Sequence, residues 1–310
     1  MDLKQLRALV TVAETGNVTK ASALLNIVQP AVSRQLRLLE EDMGTPLFER
    51  GRHGMELTEA GKAMVEYARR ILNEVARAKA EIRPTQDTVG GIVTLGLLPS
   101  TCDLLSSTLV RLAAEKYPGI RLRISVGYAG HLLDWLETGE VDAALLYDQK
   151  PSPSLQVKPL LEESLWVIAP ASAKLRAGKP VPLAQLVGKP MVLPSAPHGL
   201  RALVEQAATL MGLKLTVAAE TNEMSVQKSL VIGGHGWTIL PSIAVADELA
   251  RGTLTAAPLT KPAVLRKIVL AVPTNRQATT PVRCVVPLLL DCMKDAVRRH
   301  QWPAARWLGD

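Results

Sequence analysis

The first feature of the sequence that could carry chemistry is a polar helix face near the N-terminus. The sequence predicts a helix from Pro30 to Gly44, because proline is favoured in the first turn of a helix and glycine directly after its last turn. Its apolar stripe consists of Ala31, Val32, Leu36 and Leu39. The opposite face presents amide, hydroxyl and guanidinium groups: Gln29, Pro30, Ser33, Arg34 and Arg37. Such groups hydrogen-bond to base edges and phosphates of duplex DNA.

Two shorter helices and a two-stranded wing are expected to hold this face in place. Apolar residues at helical spacing before Gly16 predict a first helix. A second helix is expected from Thr19 to Leu25, with Ala21, Leu24 and Leu25 on its inner side. Residues 45–58 predict a wing with a turn between Gly51 and Gly54. Candidate contacts to the DNA backbone or minor groove in the wing are Arg50, Arg52 and His53. The acidic run Glu40, Glu41 and Asp42 is expected to be held away from the groove.

Net charge does not locate a nucleic-acid surface. The chain carries a formal charge of +7, but residues 1–90 contain 13 Lys and Arg against 12 Asp and Glu, so most of the excess lies later. A DNA-binding interpretation therefore rests on the local pattern. A structural three-helix bundle is the alternative for a helical pattern of this kind.

A long helix is predicted from Thr58 to about Arg83, before Pro84. Apolar residues repeat along it at alternating spacings of four and three: Met64, Ala68, Ile71, Val75, Ala78 and Ile82. This repeat is typical of a coiled-coil seam and predicts a homodimer. A solvated linker helix is the alternative.

After residue 90, short β-branched runs alternate with helical segments. Strands are predicted at 92–98, 120–126, 141–147, 165–170, 191–194, 215–220, 237–240 and 264–272, and helices at 101–117, 130–138, 198–211, 223–232 and 282–299. The alternation favours parallel α/β structure in two lobes with a cleft between them. The expected domains are 1–58, a linker helix over 59–89, and 90–310, with lobe 1 at about 90–162 and 267–300 and lobe 2 at about 163–266.

Three loops before predicted helices could form a ligand pocket, because helix N-termini in α/β folds bind anions. Their candidate residues are Ser100, Thr101, Tyr128, Ala129, His131, Pro197, His198 and Gly199. The groups suit a small anionic effector. Helix capping is the alternative for the hydroxyls, and a surface loop is the alternative for His198.

Other functional classes find little support. The sequence has no Gly-x-Ser-x-Gly elbow, Walker A loop or dinucleotide fingerprint, and its five histidines lack metal-ligand spacing, so neither an enzyme nor a metal or other cofactor is expected. Cys102, near a predicted helix start, is the one candidate for a redox-sensitive thiol of lowered pKa, while Cys284 and Cys292 are expected in the core. The sequence shows neither a signal peptide nor a membrane-spanning stretch, which predicts a cytoplasmic protein.

Residues 17–50 closely resemble the winged helix-turn-helix of LysR-type transcriptional regulators. The matching features are Thr19 with Ala21 and Ala23, the run from Gln29 to Ser33, the Leu47-Phe48-x-Arg50 pattern, and the run from Leu57 to Gly61. The resemblance implies DNA contact through Gln29, Pro30, Ser33 and Arg34, with Thr19 and the wing arginines on the backbone. It also implies dimerisation through the linker helix, a homotetramer, promoter DNA as partner, and RNA polymerase as a candidate partner.

The same resemblance implies an effector domain similar to periplasmic binding proteins. Ser100 lies where many members place a Ser or Thr against an acidic effector, whereas Ala129 stands where several relatives carry Thr, which argues against a simple aromatic carboxylate. Residues 193–201 resemble the nitrogen assimilation control and sulfur-starvation branch. Residues 164–266 lack the two cysteines of the peroxide-sensing members. An effector-independent regulator acting through its oligomeric state, as activator or repressor, and a small-molecule-binding protein without gene control remain alternatives.

Overall fold

The computed structural model describes residues 1–51, 54–82 and 89–309. Arg52 and His53 of the predicted wing lie outside these ranges, as do the side chains of Arg50 and Ile82. The chain forms two compact units, Met1–Gly91 with Glu137–Glu140, and Ile92–Leu136 with Val141–Asp310. They are called the N-terminal and C-terminal units below.

The N-terminal unit contains three short helices, a β-hairpin and a long helix. Its elements are α1 (Leu3–Thr15), α2 (Val18–Leu25), α3 (Gln29–Met43), β1 (Phe48–Gly51), β2 (Gly54–Leu57) and α4 (Glu59–Ile82). The strands β1 and β2 pair antiparallel, as expected for a wing. The third helix begins one residue earlier than the sequence predicts.

Local capping explains where these helices begin and end. The Asp2 side chain accepts hydrogen bonds from the Lys4 and Gln5 amides at the start of α1, and Gly16, at φ 61°, ends it. The Asn17 side chain caps α2 through the Thr19 and Lys20 amides. Both ends of α1 and the start of α2 therefore follow from residues adjacent to them in the sequence.

The core of the N-terminal unit lies among α1, α2, α3 and the first half of α4. It includes Leu6, Leu9, Val12, Ala21, Val32, Leu36, Leu39 and Leu47. The prediction for Leu24 is wrong, because this side chain is 67% exposed. Ala31 is only partly buried.

A close backbone approach joins the start of α4 to the wing. The Thr58 hydroxyl donates a hydrogen bond to the Pro46 carbonyl at 2.8 Å and accepts one from the Gly61 amide at 3.0 Å. A Cβ atom at Gly61 would collide with the Leu47 carbonyl oxygen. Only glycine fits at this position without movement of the backbone.

The C-terminal unit alternates strands and helices through most of its length. The strands are β3 (Gly90–Leu97), β4 (Gly119–Val126), β5 (Ala143–Tyr147), β6 (Leu155–Pro170), β7 (Val181–Pro182), β8 (Pro190–Pro194), β9 (Thr216–Thr221), β10 (Thr238–Pro241), β11 (Leu254–Thr260), β12 (Leu265–Pro273) and β13 (Ala305–Trp307). The helices are α5 (Pro99–Lys116), α6 (Ala129–Thr138), α7 (Gly199–Leu210), α8 (Met224–Ile232), α9 (Ala246–Ala250) and α10 (Thr280–Arg298). Short 3-10 turns cover Ala171–Ala173, Leu183–Leu186 and Ser242–Val245.

The sheet topology is mixed and corrects the prediction of parallel α/β structure. The main sheet has the order β4-β3-β5-β12-β6-β11-β7, and β10 and β13 also pair with β6. Strands β3 and β5 pair in parallel, as do β8 and β9, as expected. Strand β12, however, pairs antiparallel with both β5 and β6, and β6 also pairs antiparallel with β10 and β11. The reason is that β6 is 16 residues long and runs through both halves, so the predicted strand at 165–170 is only its end. The sequence does not predict strands β7, β11 and β13.

The second half of the C-terminal unit has its own apolar core, built on the far end of β6. It includes Leu165, Val167, Ile168, Val192, Leu193, Val204, Ile239 and Ala257. Within the described ranges, no helix combines the length and apolarity needed to cross a membrane.

We expect Gly61→Ala to destabilise the N-terminal unit by about 1–3 kcal/mol, because the added methyl group collides with backbone rather than with a movable side chain. Gly130→Ala is the matched control, since Gly130 also lies in a first helical turn but has open space around its Cβ position. Urea unfolding followed by circular dichroism measures both. Equal stability of the two variants would contradict the close approach.

Candidate nucleic-acid interface and ligand pocket

The polar face of α3 is exposed as the sequence predicts. Gln29, Pro30, Ser33, Arg34 and Arg37 are all solvent-exposed, while the opposite side of the helix packs into the core. The first turn of α3 contains no acidic residue, and its N-cap makes no side-chain hydrogen bond. Its first amides are therefore free of a side-chain cap and suit a phosphate oxygen.

Among the remaining predicted DNA contacts, the structure describes the side chains of Thr19 and Arg37. Thr19, at the start of α2, is exposed. Arg37 lies 3.4 Å from Glu41, but both side chains are more than half exposed, so solvent screens this pair and it contributes little free energy. Arg50 lies in β1 with its side chain outside the description, and Arg52 and His53 stay predictions.

The acidic end of α3 is occupied by contacts within the unit. The Glu40 carboxylate accepts hydrogen bonds from the Leu47 and Phe48 amides, at 2.8 and 3.1 Å. Asp42 pairs with the N-terminal ammonium at 2.6 Å. Glu40 thus fixes the wing relative to α3.

The predicted dimer seam divides into two parts. Ala68 is fully buried in the N-terminal core, and Met64 and Ile71 pack against that core. The prediction must be corrected for Ala68, because a side chain fully buried within one chain offers no surface to a second copy, whereas Met64 and Ile71 are only partly buried and stay predictions. Val75 is half-buried and Ala78 is exposed.

A pocket of about 350 Å³ lies in the C-terminal unit. Its apolar lining consists of Pro99, Pro194, Leu200, Met224, Leu240 and Pro241. Its polar lining consists of Ser100, Tyr128, Tyr147, His198, Gln227 and Arg266. The pocket thus joins residues from both halves of this unit.

Three of the predicted effector residues meet in this pocket: Ser100, Tyr128 and His198. The rings of Tyr128 and His198 pack edge to face with centroids 4.9 Å apart. The His198 Nδ1 accepts a hydrogen bond from the Leu200 amide, so the neutral ring carries its proton on Nε2. Burial and the nearby Arg266 lower the pKa of His198, which favours this neutral form.

The other five predicted effector residues do not line the pocket. Thr101 is fully buried and its hydroxyl donates to the Leu98 carbonyl at 2.9 Å, so it is bound to the backbone without capping the helix, whose start has no side-chain cap. His131 is exposed and stacks near Trp135. The remaining three sit at helix starts outside the lining: Ala129, Pro197 and Gly199.

A buried hydrogen-bonded cluster forms the floor of the pocket. The Ser100 Oγ lies 2.6 Å from the Tyr147 hydroxyl and accepts from Arg266 Nη2 at 3.3 Å. The Arg266 guanidinium also lies over the Tyr147 ring at 3.9 Å. Burial raises the pKa of Tyr147 to about 12, although Arg266 opposes the rise, so the phenol is protonated at neutral pH.

The Glu163 carboxylate holds Arg266 from behind. Arg266 Nε donates to Glu163 Oε1 at 2.7 Å, and Trp302 Nε1 donates to Glu163 Oε2 at 2.8 Å. Arg266 and Glu163 are 3% and 1% exposed. Burial lowers the pKa of Arg266, but the charge and hydrogen bond of Glu163, together with Tyr147 and Asp148, more than offset this, so the pKa is raised and the guanidinium stays charged.

Sequence reasoning missed Arg266, Glu163, Tyr147, Gln227 and Trp302. The available signal was a charged residue inside an apolar strand pattern, since Arg266 stands within the strand predicted at 264–272 and buried charges are normally paired. That signal does not identify the partner of Arg266, because Glu163 lies 103 residues away in the sequence.

The pKa of the Cys102 thiol is raised, whereas a redox-sensitive thiol was expected to have a lowered pKa. Burial and, to a smaller extent, Asp103 raise its pKa to about 11, so the thiolate is disfavoured at neutral pH. Cys292 is buried as expected, and Cys284 is partly exposed. Within the described residues, no group of three metal-binding side chains forms a site.

We expect Arg266→Met to lower the free energy of unfolding of the C-terminal unit by about 3–5 kcal/mol, because Glu163 is left as a buried charge without its cation. The double variant Arg266→Met with Glu163→Leu should recover most of the loss, since neither charge remains. Urea transition midpoints of the full chain compare the two. A single variant as stable as the unchanged protein would contradict the role given to the pair.

Comparison with known proteins places both units in one family. Residues 3–62 match the family described as "Bacterial regulatory helix-turn-helix protein, lysR family", and residues 86–294 match "LysR substrate binding domain". The "HTH-type transcriptional regulator BbuR" of Bordetella bronchiseptica is 28% identical over 98% of this chain and 93% of its own length. The "Nitrogen assimilation regulatory protein nac" of Klebsiella aerogenes is 27% identical over 94% of each chain, consistent with the branch that residues 193–201 resemble.

A solved structure supports the same fold. Full-length CbnR complexed with its target DNA has a TM-score of 0.72 at 22% identity, covering 96% of this chain and 100% of that one. The matches over residues 3–62 and 86–294 argue against both a purely structural bundle and a small-molecule-binding protein without gene control. The chain belongs to the LysR family of transcriptional regulators, with an N-terminal helix-turn-helix and a C-terminal substrate-binding domain.

Proposed function

We propose that this regulator reads promoter DNA through the exposed face of α3 and responds to a small anionic effector bound in the pocket of the C-terminal unit. The observation that carries the proposal is the pairing of two independent sites in one chain. One is an exposed polar helix face without acidic groups in its first turn, and the other is a pocket with a buried guanidinium.

The chemistry of α3 supports a division of roles on DNA. Gln29 and Arg34 carry the amide and guanidinium groups that form paired hydrogen bonds with adenine and guanine edges. Pro30 and Ser33 lie beside them on the same exposed face. We assign the backbone contacts to Thr19, Arg37, Arg50, Arg52 and His53, because isolated cations and hydroxyls contact phosphates without reading sequence.

We further propose that two copies pair through the distal half of α4 and that pairs assemble into tetramers. The distal positions Val75, Ala78 and Ile82 continue the apolar repeat beyond the residues that the N-terminal core uses. The two ligands of such a protein, chromosomal DNA and a metabolite, are both found in the cytoplasm, where we place it. We assign no enzymatic activity and no cofactor to it, and RNA polymerase is its candidate protein partner.

The pocket supports an anionic effector through Arg266 and Ser100. A guanidinium that is 3% exposed and lines a cavity can donate charge-assisted hydrogen bonds to a carboxylate or a similar anion. Ser100 adds a hydroxyl to the same end of the pocket.

We expect Arg34→Ala to abolish the footprint on the target promoter at protein concentrations where the unchanged protein protects it. The loss of a bidentate contact of about 1–3 kcal/mol per half-site accounts for the effect. Arg111→Ala is the control, because Arg111 is an exposed helical arginine of the C-terminal unit. A folded Arg34→Ala oligomer that still protects the promoter specifically would show that the reading face is misassigned.

We expect Ser100→Ala to move the effector dose response to higher concentration without changing DNA binding in the absence of effector. The change removes the oxygen that Arg266 and Tyr147 share. A thermal-shift screen of small acids and of nitrogen and sulfur metabolites supplies the ligand for this titration. Thr101→Val, whose hydroxyl is bound to backbone, should respond as the unchanged protein does; an unaltered dose response in Ser100→Ala would overturn the pocket assignment.

A further inference from the structure

We propose that the effector is bifunctional: a small organic acid that also carries a separate hydroxyl or amino group as a hydrogen-bond donor. The inference rests on the proposed function, because it takes the pocket as the effector site. It follows from two buried side chains that face the pocket with unused polar groups of opposite kind, Arg266 and Gln227.

Gln227 presents an acceptor to the pocket. Its Nε2 donates to the Thr238 hydroxyl at 2.6 Å and to the Val192 carbonyl at 3.3 Å. A backbone carbonyl only accepts, so Val192 fixes which end of the amide is the nitrogen. The Oε1 atom then has no hydrogen-bond partner in the part of the chain that the structure describes, although the residue is only 3% exposed.

The opposite end of the pocket presents donors. A guanidinium has five N–H groups, and the hydrogen bonds of Arg266 to Glu163 and Ser100 use two of them. The hydroxyls of Ser100 and Tyr147 share two protons, of which their 2.6 Å hydrogen bond uses one. Whichever hydroxyl donates in that bond, the other proton is left for a ligand oxygen.

The charge on Arg266 alone does not explain selection of a ligand. Glu163 already pairs with this guanidinium, so an anion gains less from it than from an unpaired cation. A plain carboxylate such as butyrate that fills the pocket would displace water from the Gln227 oxygen without replacing its hydrogen bond, which lowers affinity. A ligand with a donor at its far end satisfies both side chains, and the apolar lining at Leu200 and Met224 suits a short hydrocarbon segment between them.

The ligand would also connect the two halves of the C-terminal unit. Ser100 lies in the first turn of α5 in the first half, whereas Gln227 lies in α8 of the second. A molecule that bonds to both holds α5 and α8 at one separation, which gives the regulator a structural difference between its free and bound states.

The test is calorimetric titration of the full chain with matched probes. The set comprises ω-hydroxy and ω-amino carboxylates of roughly three to six carbons, the unsubstituted carboxylates, and the ω-hydroxy amides. We expect at least one bifunctional acid to bind about tenfold more tightly than both of its monofunctional counterparts. In Gln227→Leu this preference should disappear, while binding of the unsubstituted acid stays the same.

Thr238→Val is the matched control, because it removes the same internal hydrogen bond but keeps the Gln227 oxygen. It should retain the preference. Equal affinity for hydroxylated and plain acids, a preference that survives Gln227→Leu, or no binding by any probe would each overturn the inference. Tight bifunctional binding that leaves the promoter footprint unchanged would instead overturn the effector role in the proposed function, so the two failures are distinguishable.

Discussion

The buried ion pair between Arg266 and Glu163 is the constraint on which the C-terminal unit depends. The two residues face each other in the antiparallel register of β12 on β6. A slip of β12 by one residue would turn Arg266 to the other face of the sheet and leave both charges without partners, at a cost larger than most single contacts supply. The pair therefore specifies the register, and the register places Arg266 beneath Ser100 and Tyr147. Trp302 completes the arrangement from beyond α10.

The N-terminal unit could be predicted in detail because its signals are local. Pro30, Gly44 and Gly16 mark helix boundaries through their own backbone preferences, and the structure has boundaries within a residue or two of these positions. The failures have physical causes as well. Leu24 belongs to an eight-residue helix, too short for helical spacing to define a buried side reliably. The repeat through Ala68 is the same whether the partner helix lies in the same chain or in another, so spacing alone could not separate the two uses.

The pocket could be predicted only in part. Ser100, Tyr128 and His198 were found because each stands at or near a helix start, but the same signal selected Thr101, whose hydroxyl serves the backbone. Arg266 and Gln227 gave no comparable signal, since their meaning arises from partners and cavities formed by distant segments. Neighbouring residues identify a helix cap, but they do not identify the partner in a long-range pair. The alternation of strands and helices nevertheless predicted the architecture that brings these segments together.

The hydrogen bonds from the wing to Glu40 have a consequence for the DNA itself. Because this carboxylate anchors the Leu47 and Phe48 amides, the start of the wing cannot shift freely relative to α3. The distance between an α3 side chain in a DNA groove and a wing cation on the neighbouring DNA backbone is then set largely by the protein. A duplex whose groove width differs from that spacing must deform to be bound, and the cost of deformation depends on base steps that the protein does not touch.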